Sequence, residues 1–340
     1  MVLEMFRSLP SYNGGKRRLI PALFRDAPPP DESPVFVDPF LGGGSVSLYA
    51  KARGYRVLCN DVAERSAIVG KALIENDRVL LTYDDLTRLF VPVDDEPGFA
   101  EKHLAPDVFP LSHAVFLDTA IANARKLTGP KKWLSLLLVI KHALRLRPMG
   151  NWGARTVIRQ AQDGCWEDMN QHFVRDIIAR GIPRHPLRIA NAMRKTINRG
   201  VFSNGKENRC EQRDVFDFLS HVKGDVVYFD PPYSSTQSYE QASKPLDDLL
   251  RGESRPVERN PFSTEPPEKI LPRLFEAADH IPFWIISYGN QRINLGELMD
   301  MVRRHRRRVT GHEFRHAHCA GLASADSRLR NREFVVVGRK

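Results

Sequence analysis

Asp225-Val226-Val227-Tyr228-Phe229-Asp230-Pro231-Pro232-Tyr233 decides how the rest of the chain is read. Val226 to Phe229 has the length and the β-branched and aromatic content of a buried strand. Two prolines end it, because neither can continue a sheet ladder. Asp230, Pro231, Pro232 and Tyr233 therefore form a stiff loop at the carboxyl end of a strand, where open α/β sheets bind ligands. Each proline biases its predecessor towards extended backbone and lacks an N–H, so the loop presents a carboxylate beside fixed carbonyl oxygens. Tyr233 adds an aromatic face. Two acceptors and a flat ring suit a planar base with an exocyclic amino group. Such an amine is a poor nucleophile because its lone pair is delocalised. Acceptors holding both N–H bonds would localise that pair and aim it at an electrophile, which is preorganised electrostatics rather than deprotonation. The plainer alternative is a strand-terminating turn with a capping aspartate.

A second passage from strand to loop stands upstream. Val35-Phe36-Val37 runs into Asp38-Pro39-Phe40-Leu41-Gly42-Gly43-Gly44-Ser45, and Val46–Arg53 is helix-compatible. Strand, glycine-rich turn and helix make a cradle for a nucleotide cofactor. Arg56–Asp61 predicts another short strand, and Asp61 at its end suits the two hydroxyls of a ribose. A pyrophosphate cradle opens on glycine. Here Asp38 begins the loop, which favours a cationic or zwitterionic ligand and points to S-adenosylmethionine rather than a nicotinamide cofactor. Nearer the start, Tyr12-Asn13-Gly14-Gly15-Lys16 puts two permissive glycines and a cation ahead of an apolar-periodic stretch through Leu23.

The 340 residues leave room for one large α/β domain with an inserted module. Lys plus Arg number 51 against 41 Asp plus Glu, a formal charge of +10 that suits a polyanionic partner. Cys59, Cys165, Cys210 and Cys319 lack paired spacing, as in a reducing compartment. No apolar run reaches membrane-spanning length and the first residues lack a signal-peptide core, so a cytoplasmic protein without a membrane partner is expected.

Between Ala63 and Asn208 the pattern turns helical, at His113–Lys126, Trp133–Leu146, Trp166–Arg180 and Leu187–Asn198. A basic loop between the second and third of these surrounds Trp152. Its Arg145, Arg147, Asn151 and Arg155, with Arg159 beyond, are candidate contacts to phosphates or base edges. The sheet pattern then resumes. Arg213–Phe218 starts a short helix in which Asp214 is placed to accept from an adenine amino group, whereas Asp217 reads as solvated. Ser234–Pro267 reads as a mobile loop. Ile270–Ala278 and Leu295–Arg304 are helical, Phe283–Ser287 is a buried strand, and Glu333–Val337 is a last, antiparallel strand at the sheet's far side.

Taken together, these residues resemble the Dam-like (alpha) class of adenine-specific DNA methyltransferases. Tyr12–Lys16 is similar to that family's aromatic-x-Gly-Gly-Lys, Asp38–Ser45 to its acidic-Pro-Phe-x-Gly-x-Gly loop, and Asn60-Asp61 to its ribose-binding turn. Asp230–Tyr233 matches its catalytic motif, with Thr236 and Tyr239 at positions of similar residues, and Ile286-Ser287-Tyr288 resembles a later motif shaping the base pocket. The resemblance covers the two flanks and not the middle. It departs at Asp214-Val215, where the family often has Asp-Phe, and at Gly43, which makes a triple glycine. It implies a Rossmann-like methyltransferase sheet over residues 1–62 and 206–340, with an inserted, mostly helical target-recognition domain over 63–205. It also implies S-adenosylmethionine held by Tyr12, Lys16, Asp38, Phe40, Gly42, Gly44, Asp61, Asp214 and Asp230. The partner would be duplex DNA, its target adenine flipped out and stacked on Tyr233. Cytoplasmic, nucleoid-associated action, as in restriction-modification, goes with that reading.

Three rivals stand beside it. The first is transfer to another amine, on cytosine, an RNA adenine or a protein glutamine. The second is a non-catalytic DNA-binding relative. The third is a zinc site at His312-Glu313-Phe314-Arg315-His316, which fits H-E-x-x-H but works only on a helix; His318, Cys319 and Glu333 are its conceivable further ligands. The main reading needs no metal. The run Arg303, Arg304, Arg306, Arg307 and Arg308 is a further candidate for gripping phosphates.

Overall fold

The α/β character follows from seven strands that form one mixed sheet. The structure is a computed structural model, and it describes residues 2–12, 14–93, 96–150, 152, 155–167, 169–232, 239–315 and 331–340. The strands are β1 (Val35–Asp38), β2 (Arg56–Asn60), β3 (Arg209–Glu211), β4 (Val226–Phe229), β5 (Phe283–Gly289), β6 (Arg308–Arg315) and β7 (Arg332–Arg339). Their order is β3-β2-β1-β4-β5-β7-β6. From β3 to β5 all neighbours are parallel, and β7 lies antiparallel between β5 and β6. The last strand is thus antiparallel as expected, but β6 and not β7 forms the sheet's edge. Strand order reverses between β1 and β4, so the loops that follow these two strands border one crevice at their carboxyl ends.

Strand alternation sorts the side chains. Val37, Val227, Phe229, Trp284, Ile286 and Tyr288 bury one face against helices Val215–His221, Pro267–Ala277 and Leu295–Arg303. Phe36 faces the other way, stacked on Phe24 at 5.5 Å and packed against Tyr55. Fully buried β-branched and aromatic residues on both faces are what a central parallel strand requires. Arg306 belongs to this core. Its guanidinium donates to Asp279 Oδ1 at 2.7 Å and lies 3.6 Å from the centre of the Trp284 ring. The basic run therefore does not act as one surface patch, because desolvation of Arg306 is compensated inside the fold.

The described residues divide into two units, a sheet unit (Tyr12–Glu75, Ser203–Gln241, Val257–Lys340) and a helical unit (Met1–Ser11, Asn76–Phe202, Ala242–Pro256). The helical unit takes in two segments that the sequence reading placed with the sheet. Lys141 Nζ donates to the carbonyls of Arg7 and Leu9 at 2.8 and 2.7 Å, and Arg147 Nη2 to Ser11 Oγ at 3.1 Å. Arg125 donates to the Leu250 carbonyl. At the centre of this unit, helix Gly129–Arg145 is buried almost all round from Leu134 to Leu144, as an interior helix should be. Helix Leu111–Lys126 packs on it through His113, Phe116 and Ala120, all buried.

Two further expectations change. Within the stretch read as a mobile loop, Tyr239–Arg251 is a helix containing Pro245. Leu246, Leu249 and Leu250, spaced as one helical face, are each buried and outweigh the helix-breaking tendency of the proline. The zinc reading fails on geometry. His312 and Glu313 are successive residues of strand β6 and project to opposite faces, and Glu313 pairs with Arg332 at 3.0 Å. His316, His318 and Cys319 lie outside the described residues. No group of three potential metal ligands occurs among the described residues, and no helix among them is long and apolar enough to cross a membrane.

Candidate active site

The site forms where β1 and β4 end. Asp38, the last residue of β1, is 1% exposed. Its Oδ2 accepts from Ser47 Oγ at 2.7 Å and its Oδ1 from the Phe40 amide at 3.3 Å. Burial pushes its carboxyl up to about 7, and the nearby Asp230 and Asp61 push it the same way against the pull of these two donors. Asp38 thus sits close to the balance between neutral and charged at physiological pH.

Two positive backbone angles turn the glycine loop, at Gly42 (φ 51°) and Gly44 (φ 75°). Glycine adopts these without the clash that a Cβ would bring. Gly43 is glycine for another reason. A Cβ there would stand 2.7 Å from Tyr12 Cβ, so the middle residue of the triple glycine is what lets the Tyr12 side chain lie on the loop. Asp61 ties the loop to β2, its Oδ2 accepting from the Gly42 amide at 2.8 Å and its Oδ1 from the Ala63 amide at 2.9 Å. Burial raises its pKa. Phe40 packs edge-on against Phe262, ring centres 5.1 Å apart, and Phe216 stacks on the same ring at 6.2 Å. Phe262 and Phe216 were not singled out in the sequence. Asp214 caps helix Val215–His221 by accepting from the Phe216 amide at 2.8 Å and is otherwise exposed near the end of β3.

Asp230 follows β4 directly. Lys16 Nζ, 3% exposed, donates to its Oδ1 at 2.7 Å and to the Gly14 carbonyl at 3.1 Å. Ser287 Oγ donates to the same Oδ1 at 3.3 Å and lies 3.0 Å from the Tyr228 hydroxyl. Burial drives the Tyr228 phenol well above its ordinary range. Glu333, fully buried in β7, faces Lys16 Nζ at 3.4 Å. The first lysine motif, the end of β4 and the middle of β5 thus converge on one carboxylate oxygen. Of the later motif, Ser287 faces the site, while Tyr288 points to the opposite face and joins the apolar core. Pro231 is buried and Pro232 half-buried. Tyr233 and Thr236 lie outside the described residues.

Residues 12–139 and 183–248, more than half of the chain, match the family model of the D12 class N6 adenine-specific DNA methyltransferases. The chain belongs to this family. It is 28% identical over 319 residues to the type II methyltransferase M2.HphI of Haemophilus parahaemolyticus, an alignment that covers 91% of each chain. To the type II methyltransferase M.FokI of Planomicrobium okeanokoites it is 24% identical over 220 residues, 61% of this chain and 31% of that relative.

A D12-class methyltransferase needs a methyl donor beside its acceptor amine. Among the residues named from sequence for DNA, Arg145 is exposed, with Nε on the Arg180 carbonyl at 2.6 Å and Nη2 on the Ala179 carbonyl at 3.0 Å. Arg159 is exposed and paired with Asp107. Arg147 is the exception, because it is 7% exposed, with Nη2 on Ser11 and its guanidinium 5.2 Å from the Trp152 ring. It supports the helical unit from within and does not present a surface charge. Asn151 lies outside the described residues, and Arg155 begins helix Arg155–Gln162. A residue that sequence reasoning left unconnected to this site is Glu333. It was weighed there as a metal ligand, and nothing in a short apolar strand signals that its first acid meets a lysine 317 positions earlier.

Proposed function

We propose that this D12-class enzyme transfers a methyl group from S-adenosylmethionine to the exocyclic N6 amine of an adenine flipped out of duplex DNA. The observation that carries this reading is the meeting of Asp38 and Asp230 at the carboxyl ends of adjacent strands, with Lys16 fixing the second of them.

The donor set fits the proposed cofactor. Asp38, Asp61, Asp230 and Glu333 set four carboxyl groups against Lys16, a balance that favours a ligand carrying sulfonium and ammonium charges over a pyrophosphate. Tyr12, Lys16, Asp38, Phe40, Gly42, Gly44, Asp61, Asp214 and Asp230 would hold it. When bound, it supplies an electrophilic methyl on sulfur. The chain's own residues act on the acceptor. Lys16 and Ser287 orient the Asp230 carboxylate, and the prolines put no competing N–H beside the Asp230 and Pro231 carbonyls. These oxygens hold the N–H bonds of the target amine and localise its lone pair. Tyr233 is its stacking face, and flipping is needed because a base inside a duplex cannot enter such a crevice.

The helical unit is the proposed DNA-recognition module. Between Arg145 and Arg199 eleven Lys and Arg stand against four Asp and Glu, which suits a phosphate backbone. Arg145, Asn151, Arg155 and Arg159 remain its candidate contacts. The names of both relatives, type II methyltransferases, support a place in restriction-modification.

Incubation of the protein with tritiated S-adenosylmethionine and mixed-sequence duplex DNA tests the reading. Label recovered as N6-methyladenine is the expected result, and sequencing of host DNA then gives the motif. Label on cytosine, or none on DNA while RNA is labelled, would overturn it.

A further inference from the structure

Lys16 Nζ stands between two carboxylates from separate strands, Asp230 after β4 at 2.7 Å and Glu333 in β7 at 3.4 Å. Lys16 is 3% exposed and Glu333 0%, while Asp230 retains 20%. A carboxylate withdrawn this far from water is costly to ionise unless a cation meets it, and Lys16 meets this one. Glu333 is paired in register with Gly289, so it projects on the face of the sheet that carries Ser287, two residues earlier in β5. Ser287 in turn donates to Asp230. Lys16 thus links Glu333, on the side away from solvent, to Asp230.

A single ammonium divided between two carboxylates neutralises neither of them fully. With Glu333 present, part of the Lys16 charge is balanced from behind, and Asp230 keeps more of its strength as an acceptor. We propose that Glu333 is a positioning residue for methyl transfer, which holds and partly balances Lys16 so that Asp230 is correctly aimed and still basic enough to accept from the target amine. The inference rests on the proposed function, in which Asp230 takes that role. Glu333 itself touches neither the donor nor the base.

The test is single-turnover methyl transfer to duplex DNA by Glu333→Gln and Glu333→Asp, each also combined with Lys16→Gln. Donor affinity by calorimetry and the thermal midpoint are measured on the same samples. Glu333→Gln should lose at least about tenfold in transfer rate while donor affinity stays within about threefold. Glu333→Asp, which keeps the charge, should lose less. In the Lys16→Gln background either change at Glu333 should matter less than about twofold, because its route to Asp230 is gone. A wild-type rate in Glu333→Gln would overturn the inference. So would equal losses with and without Lys16, or a loss that appears only as weaker donor binding. If Glu333→Gln does not fold, or Lys16→Gln transfers nothing measurable, the rate-to-affinity split of Glu333→Asp decides in the same way. Asp230→Ala run alongside separates this inference from the proposed function. Transfer that survives Asp230→Ala overturns the proposed function, whereas transfer lost there but kept in Glu333→Gln overturns only the role of Glu333.

Discussion

The sheet unit and the helical unit use charge in opposite ways. In the sheet unit the informative charges face one another, Lys16 with Asp230 and Glu333, Arg306 with Asp279, and all three contacts involve at least one buried partner. In the helical unit several basic side chains donate instead to backbone carbonyls of their own unit, beside exposed ion pairs such as Arg159 with Asp107. Arg145 holds the carbonyls of Ala179 and Arg180, Arg194 that of Leu81, and Lys141 those of Arg7 and Leu9. An arginine that donates to a neutral carbonyl keeps its full positive charge, and the unit keeps its field. The first arrangement orients a few atoms for chemistry; the second leaves net charge for a polyanion. Substitutions in one unit should therefore move a rate, and in the other an affinity.

The widest separation is expected at Asp230. Asp230→Ala should lower the rate of methyl transfer by about 10²–10³-fold or more, the range seen when one preorganised polar group is removed. Binding of the helical unit to DNA should be unchanged, and donor affinity should fall far less than the rate. Rapid-quench transfer together with calorimetry checks this, and a variant that loses donor binding and rate in equal measure would erase the distinction between the units.

A smaller effect, on affinity alone, should come from the exposed arginines. Neutralising Arg145 and Arg159 together should weaken duplex binding and flatten the slope of log affinity against log salt by about 2, since each phosphate contact contributes roughly 0.9. Single-turnover rates at saturating DNA should stay near wild type. Arg147→Gln sharpens the comparison inside one unit. Because Arg147 is buried on Ser11 and Leu144, it should cost about 1–3 kcal/mol of stability and leave the salt slope where it was. A slope that falls for Arg147→Gln and not for the exposed pair would reverse these assignments.

How much of each unit was legible in the sequence follows the same divide. In the sheet unit, chemistry and secondary structure coincide. Asp38 ends β1 and Asp230 directly follows β4, each with proline next, so one dipeptide fixes both the loop and the proposed site carboxylate. Asp61 was legible as the acidic residue that closes a short strand. What stayed hidden was contact over long separation, namely Glu333 with Lys16, Gly43 under Tyr12, and Phe262 on Phe40. Strand β3, three residues long with only Cys210 buried, carries too little apolar content to announce itself. In the helical unit, helix positions were readable from periodicity, but not which arginine is outside. Arg145 and Arg147 differ by two residues, and only tertiary packing makes one exposed and the other buried. Helix Tyr239–Arg251 was hidden by Pro245 and its polar residues, although Leu246, Leu249 and Leu250 carried the helical spacing throughout.

Acid should separate the units in stability as well. His113 and His142 are buried in the helical unit, with His113 Nδ1 2.8 Å from His142 Nε2 and His113 Nε2 3.0 Å from the Ile182 carbonyl. A carbonyl only accepts, so His113 donates from Nε2 and accepts at Nδ1, which requires His142 to donate from Nε2; both rings are neutral in this arrangement. Burial lowers His113 to about 4 and His142 well below its ordinary value. The unfolded chain, with histidine near 6.5, takes up these protons first. Stability from the pair is therefore complete above about pH 6.5 and declines as pH falls towards 4, by about 1.4 kcal/mol per pH unit for each ring that titrates. Asp38 in the sheet unit has the opposite sign. Its folded pKa of about 7 lies above its unfolded value, so its contribution grows as pH falls from 7. Between pH 7 and 5 the helical unit should loosen while the sheet unit gains, and brief proteolysis mapped by mass spectrometry should cut first within residues 76–202. His113→Gln should reduce the acid sensitivity of that region, since an amide can occupy the same contacts without titrating. Cuts that begin in the sheet unit, or an unaltered pH dependence in His113→Gln, would place the acid-sensitive element elsewhere.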